Sequence, residues 1–433
     1  MQRVLPDTAA VESTGRLQIA GCDVLELAET FGTPLVVLDR ASVETRAKAF
    51  ASVVEAERVY YAAKAFCCVA MCELLEPIGL GLDVCTRGEL ETALTAGFPA
   101  ERILFHGNNK SVAELERARE SSVGRIVADS LDELGRLKDV GYGGRLLLRV
   151  TPGVEAHTHE FVQTGQEDSK FGFAIGPVAL EALAKAMDLP SVSVAGIHAH
   201  IGSQIFELAA YDLAIERLAD FLVAARDELG FVARELNLGG GFGIAHTRDE
   251  LTPDPAESVR RLLQAVEREF PLRTLPVPAI AIEPGRAIVG QAALTLYRVG
   301  TVKHVPGGNT FVAVDGGMGD NIRPPLYGAK YEALLANRAD AAADMRADIV
   351  GRFCESGDFL IKGAHLPGDV RPGDLLAIPA TGAYTYSMAS NYNRQPRPAV
   401  VMVADGNATQ IIAREAYEDV LRLDRRLDGS AIR

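Results

Sequence analysis

Tyr60-Tyr61-Ala62-Ala63-Lys64-Ala65 is a short apolar run of small and aromatic residues that delivers a single lysine at its end. Such a run fits a buried strand, with Lys64 at the carboxyl edge. An amine set among Val59, Ala62, Ala63 and Ala65 has its charged form disfavoured, which lowers its pKa and readies it to condense with an aldehyde. The alternative is a strand-end lysine whose ammonium reaches out to water.

Working outward, apolar runs of the same kind recur at 59–62, 81–84, 103–106, 125–128, 145–150, 194–198, 235–238 and 279–283. Between them, segments such as 112–120, 131–138, 178–187, 211–228 and 255–270 space their apolar residues as amphipathic helices do. Eight strand–helix repeats predict a (β/α)8 TIM-type barrel, whose chemistry gathers at the carboxyl ends of the strands. A doubly wound sheet is the structural rival, but it places its glycine cluster after the first strand, and here the cluster follows the seventh. A ninth run, 35–38, precedes the eight and is assigned to a second domain. After Arg286 the pattern turns to strand-like runs at 294–301, 311–315, 375–378, 399–403 and 410–413, a mainly antiparallel β domain. The fold class is therefore α/β plus β, with the barrel at 40–286 and the β domain formed by 1–39 together with 287–433. The stretch 330–349, rich in Ala and Asp, is expected to be an exposed insertion.

The chain has 433 residues, 48% of them hydrophobic, enough for a barrel-sized core. A net charge of -14 without a Lys/Arg cluster argues against nucleic-acid binding. No apolar run approaches the roughly 20 residues that span a bilayer, and the first residues lack the apolar segment of a signal peptide, so a cytoplasmic protein that binds no membrane is expected. The six cysteines, Cys22, Cys67, Cys68, Cys72, Cys85 and Cys354, lack the paired spacing of a structural zinc site.

The expected strand ends present Lys64, Asp83, His106, His198 with His200, Gly239-Gly240-Gly241 and Glu283-Pro284-Gly285-Arg286. The glycine triplet can bring backbone N–H groups to a phosphate, with Ser203 one strand earlier; a flexible turn is the simpler account. His198 and His200 share a side if their strand continues, as two metal ligands would, which makes a barrel metallohydrolase the runner-up. Against it, the other histidine pair, His157 and His159, falls in a loop after Pro152-Gly153. His200 could instead stack on an aromatic cofactor ring. Glu283 at the end of the last strand could hold the pyridine nitrogen of pyridoxal phosphate protonated, so that the ring withdraws electrons from a substrate Cα. Arg286 offers a planar fork for a carboxylate or phosphate. In the β domain, Cys354 among Glu355, Ser356 and Asp358 is unlike a core thiol and can donate a proton.

Tyr61-Ala62-Ala63-Lys64-Ala65, His106-Gly107-Asn108-Asn109-Lys110, Ser169-Lys170-Phe171-Gly172, His200-Ile201-Gly202-Ser203-Gln204, Glu283-Pro284-Gly285-Arg286, Cys354-Glu355-Ser356-Gly357-Asp358 and Ala383-Tyr384 occur in this order. Together they resemble the diaminopimelate decarboxylases, of the fold shared with alanine racemase and ornithine decarboxylase, from about residue 32 to residue 403. The resemblance implies pyridoxal 5'-phosphate attached at Lys64, with Asp83 near it, His200 on the ring and Glu283 at the ring nitrogen. Ser203, Gly239, Gly240 and Gly241, with the backbone around Glu283, Gly285 and Arg286 and with Tyr384, would hold the phosphate. Arg286, Arg323 and Tyr327 would grip the distal carboxylate of the substrate, Glu355 its distal ammonium, and Tyr384 would also face the substrate. Cys354 would protonate Cα. Cys354 and Glu355 would come from a partner subunit, which implies a homodimer with two shared sites. The implied reaction converts meso-2,6-diaminopimelate to L-lysine and CO2, the last step of lysine biosynthesis. Racemases of this fold carry an arginine at the ring nitrogen, so Glu283 favours decarboxylation. Relatives that decarboxylate another amino acid or a carrier-bound substrate share the cofactor residues; a non-catalytic pyridoxal phosphate-binding protein of related fold is a third reading, but it has no need of the β-domain loops.

Overall fold

The computed structural model describes residues 2–154 and 169–431; His157 and His159 lie outside the described residues. The chain divides into two compact units, one formed by Glu44–Ile244 and Thr252–Ala287, the other by Met1–Val43, Ala245–Leu251 and Ile288–Arg433.

In the first unit eight parallel strands follow one another in chain order: Tyr60–Ala62, Gly81–Val84, Ile103–Phe105, Arg125–Ala128, Arg145–Thr151, Ser193–His198, Glu235–Asn237 and Ala279–Ala281. The ring is closed where Tyr60 N donates to Ile282 O at 2.8 Å and Ala62 N to Pro284 O at 3.3 Å. Tyr60, Leu104, Val127, Leu147, Ala195 and Ala281 form one buried cluster. Side chains from six strands can meet in this way only inside a barrel. The sixth strand shifts register between Val194 and Gly196. A Cβ on Gly196 would lie 1.7 Å from Glu235 O, so only glycine lets the sixth and seventh strands pair there.

Several of the helices between the strands begin where side-chain caps stop the backbone donors from being orphaned. Ser111 caps Val112–Glu120 in a reciprocal box with Glu114, Ser130 caps Leu131–Asp139, and Asp254 caps Pro255–Leu272. At the opposite edge of the ring from the strand ends, Arg125 and Glu235, each the first residue of its strand, meet in a buried two-pronged pair with both bonds at 2.8 Å. Among the described residues no helix is long and apolar enough to cross a membrane.

The second unit is built on a sheet whose strands run in the order Phe359–Leu366, Met345–Val350, Thr310–Val314, Ala293–His304, Leu35–Asp39, Ala399–Ala404 and Asn407–Ile412, with Leu375–Pro379 also paired to Ala293–His304. Two joints are parallel, Thr310–Val314 with Met345–Val350 and Leu35–Asp39 with Ala399–Ala404; the others are antiparallel. The early run 35–38 thus lies in the middle of this sheet. The stretch 330–349 is not an exposed insertion. Tyr331, Ala333, Leu334, Leu335, Ala336, Ala347 and Ile349 are all buried, and the stretch supplies part of a strand. In Met345–Val350 the buried Ala347 and Ile349 alternate with Arg346 and Asp348, and the low β-propensity of Ala and Asp hides the period.

Candidate active site

Lys64 sits in a single tight turn directly after the first barrel strand, and Asp83 is the third residue of the second strand. Lys64 Nζ lies 3.1 Å from Asp83 Oδ2. The expectation of a desolvated amine is corrected here: Ala63 and Ala65 are buried, but the Lys64 side chain is 42% exposed and has a fully buried carboxylate beside it. In a strand end that turns at once, neighbours in sequence do not enclose the side chain.

Glu283 follows the last strand and is buried. It receives Asn237 Nδ2 at 2.8 Å and lies 2.7 Å from His106 Nε2 and 3.3 Å from His198 Nε2. Burial acts to raise its carboxyl, but the two histidines outweigh it and hold the group well below the usual carboxylate range. Glu283 is thus an anion with donors around it, as a partner for a protonated ring nitrogen must be.

His198 and His200 are not paired as metal ligands would be. The strand ends at His198, which turns to Glu283 and packs edge-on against the His106 ring at 4.6 Å between centroids. His200, beyond the strand and half-buried, accepts from Gly240 N through Nδ1 at 3.2 Å. Burial, with the Lys64 ammonium nearby, pushes the His200 imidazole down to about 3, so the ring is neutral.

The glycine triplet follows the seventh strand. A Cβ would come within 2.7 Å of Ala199 O at Gly239, 2.1 Å of Glu283 O at Gly240 and 2.4 Å of Gly202 O at Gly241, and Gly239 and Gly241 have φ of +69° and +108°. No side chain fits. Two of the triplet's amides are already engaged, Gly239 N by Asn237 Oδ1 at 2.9 Å and Gly240 N by His200 Nδ1. The cradle therefore offers close approach of backbone more than a full set of donors. Arg286 Nη2 donates to Ser203 Oγ at 3.1 Å, which gathers a cation and a hydroxyl. Gly285 packs against the lysine turn, where an added Cβ would be 2.9 Å from the Ala62 Cβ. An amine, a buried anion, a neutral ring and a cationic, bulk-free phosphate corner are the donor set that pyridoxal phosphate requires, and these residues fit it.

In the other unit Arg323 is buried at the start of the short helix Arg323–Tyr327, and its Nη1 donates to Ala383 O at 3.4 Å, next to Tyr384. Tyr384 has φ of +59°, unusual for a residue with a side chain and a mark of a fixed local geometry. Tyr327 is 64% exposed. Cys354 and Glu355 are exposed on one loop, held from behind by Asp358, whose carboxylate accepts from Phe353 N at 2.9 Å and Met318 N at 2.6 Å. Asn393 Oδ1 accepts from Cys354 N at 3.0 Å.

The family model described as pyridoxal-dependent decarboxylase, pyridoxal binding domain, matches residues 40–290. The chain is 51% identical to the diaminopimelate decarboxylase of Bacillus subtilis (strain 168), over 97% of this chain and 98% of that one. The chain belongs to the diaminopimelate decarboxylase family. It is 43% identical to the diaminopimelate decarboxylase of Mycobacterium tuberculosis (strain H37Rv), over 98% of both chains. Its fold matches the crystal structure of the diaminopimelate decarboxylase of M. jannaschii in complex with L-lysine, with a TM-score of 0.89 at 31% identity over 98% of each chain.

As a member of this family the chain is not a metallohydrolase built on His198 and His200. Among the described residues the ligand atoms close enough to share a cation are those of His106, His198 and Glu283, without His200. Sequence reasoning left two contributors to this candidate site unassigned. Asn237 bridges Glu283 and the glycine loop, and Tyr211, on the long helix Ala209–Leu229, donates to Gly240 O at 2.6 Å. The signal for Asn237 was present, a lone amide in the apolar run Leu236-Asn237-Leu238. For Tyr211 there was none, since the loop it reaches is 29 residues away.

Proposed function

We propose that this chain decarboxylates meso-2,6-diaminopimelate to L-lysine and CO2, the last step of lysine biosynthesis, with pyridoxal 5'-phosphate as cofactor. The observation that carries the reading is Glu283, held anionic by His106, His198 and Asn237 at the same edge of the barrel as the Lys64–Asp83 pair. Its relatives carry the substrate assignment: the named activity of proteins up to 51% identical over nearly the whole chain.

When bound, pyridoxal phosphate supplies a ring that accepts the electron pair left on Cα as CO2 departs. Lys64 supplies the amine to which it attaches, and Asp83 fixes the direction of that amine. Ser203 and Arg286 hold the phosphate beside Gly239, Gly240 and Gly241, where the missing side chains let the backbone come close. Tyr384 serves the phosphate and the substrate, and Gly285 keeps the last strand's turn tight. His200, neutral, would hold the ring face without competing for its charge. Glu283 would keep a proton on the ring nitrogen. The substrate's distal centre carries an ammonium and a carboxylate; Arg286, Arg323 and Tyr327 suit the second and Glu355 the first. Cys354 holds the proton that is delivered to Cα. Cys354 and Glu355 come from a second copy in a homodimer, which agrees with their exposure on a loop in one chain.

The test offers meso-diaminopimelate, L-lysine, L-ornithine and L-arginine separately and measures CO2. Release from meso-diaminopimelate alone, with L-lysine as product, is expected; preferential release from any of the other three would refute the substrate assignment. Borohydride treatment is expected to fix a pyridoxyl mass on the peptide containing Lys64, and its absence would refute the cofactor site.

A further inference from the structure

The two oxygens of Glu283 keep unequal company. Oε1 lies 2.7 Å from His106 Nε2, 2.8 Å from Asn237 Nδ2 and 3.2 Å from His198 Nε2, whereas Oε2 has His198 Nε2 at 3.3 Å. An oxygen that already accepts two short bonds has little left to offer, so Oε2 is the acceptor open to an incoming donor.

The two histidines are not equivalent. His198 is buried and its Nδ1 has no hydrogen-bond partner among the described residues, so a proton there would be stranded; the ring serves as a neutral Nε2–H donor. Burial, which pushes its imidazole down to about 4, acts in the same direction. His106 has a wider reach. Its Nε2 is within 2.7 Å of Glu283 and 3.8 Å of Asp83 Oδ1, and the other oxygen of Asp83 is 3.1 Å from Lys64 Nζ. Two bonded pairs, Lys64 with Asp83 and His106 with Glu283, thus lie side by side at this edge of the barrel, 3.8 Å apart where His106 Nε2 faces Asp83 Oδ1.

We infer that His106 is a positioning residue for the ring acid: its Nε2–H fastens Glu283 through Oε1, which turns Oε2 toward the ring nitrogen of the bound cofactor. The inference rests on the cofactor reading above. It assigns His106, a strand-end histidine without a role in the sequence, to the protonation state of the ring.

The test is made on the holoenzyme loaded with pyridoxal phosphate labelled with 15N in the ring. In His106→Leu the ring-nitrogen resonance is expected to move from the protonated toward the neutral pyridine position, and kcat to fall about tenfold or more with KM within about twofold, since the lost bond acts on a charged group. His106→Gln, which keeps an N–H donor at similar reach, is expected to restore the protonated resonance and most of kcat. A ring nitrogen that stays protonated in His106→Leu overturns the inference. Should that variant not fold, the wild type decides, with 15N-labelled histidine assigned against His106→Gln: a proton on His106 Nε2 and a resonance that moves on cofactor loading support the inference, and an unprotonated Nε2 overturns it. A wild-type protein that retains no pyridoxyl group at Lys64 after borohydride marks failure of the cofactor reading instead.

Discussion

An imidazole pushed down by burial and a carboxyl pushed up by burial respond to acid in opposite senses, and this protein has one of each in His198 and Asp320. His198 is held down at about 4, below the ordinary imidazole value, so the unfolded chain binds more protons than the folded one as pH falls below 6.5. Stability contributed by this residue is therefore complete above about pH 6.5 and shrinks toward pH 4, by roughly 2 kcal/mol at pH 5. Glu283, depressed in the fold, adds a loss of the same sign as pH drops below the usual carboxylate range. Faster amide exchange in the barrel strands at pH 5 than at pH 7, after correction for intrinsic rates, is expected; equal protection would count against a neutral His198. Asp320 has the reverse sign. Burial pushes its carboxyl up to about 7 against the Gly317 N–H it accepts, so the fold binds the extra proton and Asp320 costs stability as pH rises from 4 to 7. Asp320→Asn is expected to match the wild type in urea at pH 4 and to gain on the order of 4 kcal/mol at pH 8; a difference independent of pH would contradict this. Neither shift was legible in the sequence. Lys64 and Glu283 were, because each ends an apolar run, but the neighbours that set their charge come from other strands.

At the scale of elements, the strands of the barrel fall within one or two residues of the runs expected from sequence, since buried parallel strands are written as continuous apolar stretches. Met345–Val350 and Phe359–Leu366 were not anticipated, because charged residues on their outward faces break up the apolar signal. The ion pair at the amino ends of the strands was equally hidden: Arg125 and Glu235 are 110 positions apart. Conservation of function does not require it, but the ring does. Arg125→Leu leaves Glu235 buried with Arg58 at 3.7 Å and Arg145 at 3.8 Å as distant substitutes. A loss of about 3 kcal/mol in chemical denaturation is expected, with kcat retained in the folded fraction, because the pair lies at the edge of the barrel away from the chemistry. A drop in kcat without a drop in stability would show that this edge does reach the site.

For the whole molecule, the exposed Cys354 loop predicts complementation between copies. Lys64→Ala and Cys354→Ala are each expected to be inactive alone. Mixed through unfolding and refolding in equal amounts, they are expected to recover about a quarter of wild-type activity, since in the proposed homodimer half of the dimers then hold one intact site of two. No recovery would mean that Cys354 serves its own chain. The central strand of the β unit has a further consequence, one of timing. Leu35–Asp39 pairs with Ala293–His304 on one side and Ala399–Ala404 on the other, so a strand made early waits for partners made roughly 250 residues or more later. At about 5–20 residues per second, Leu35-Val36-Val37-Leu38 stands unpaired for on the order of ten to fifty seconds on a ribosome that is meanwhile producing the entire barrel. The sheet of the unit that carries Arg323 and Cys354 is thus the last part of each copy to become whole, and the cell must shelter this apolar strand until the end of synthesis.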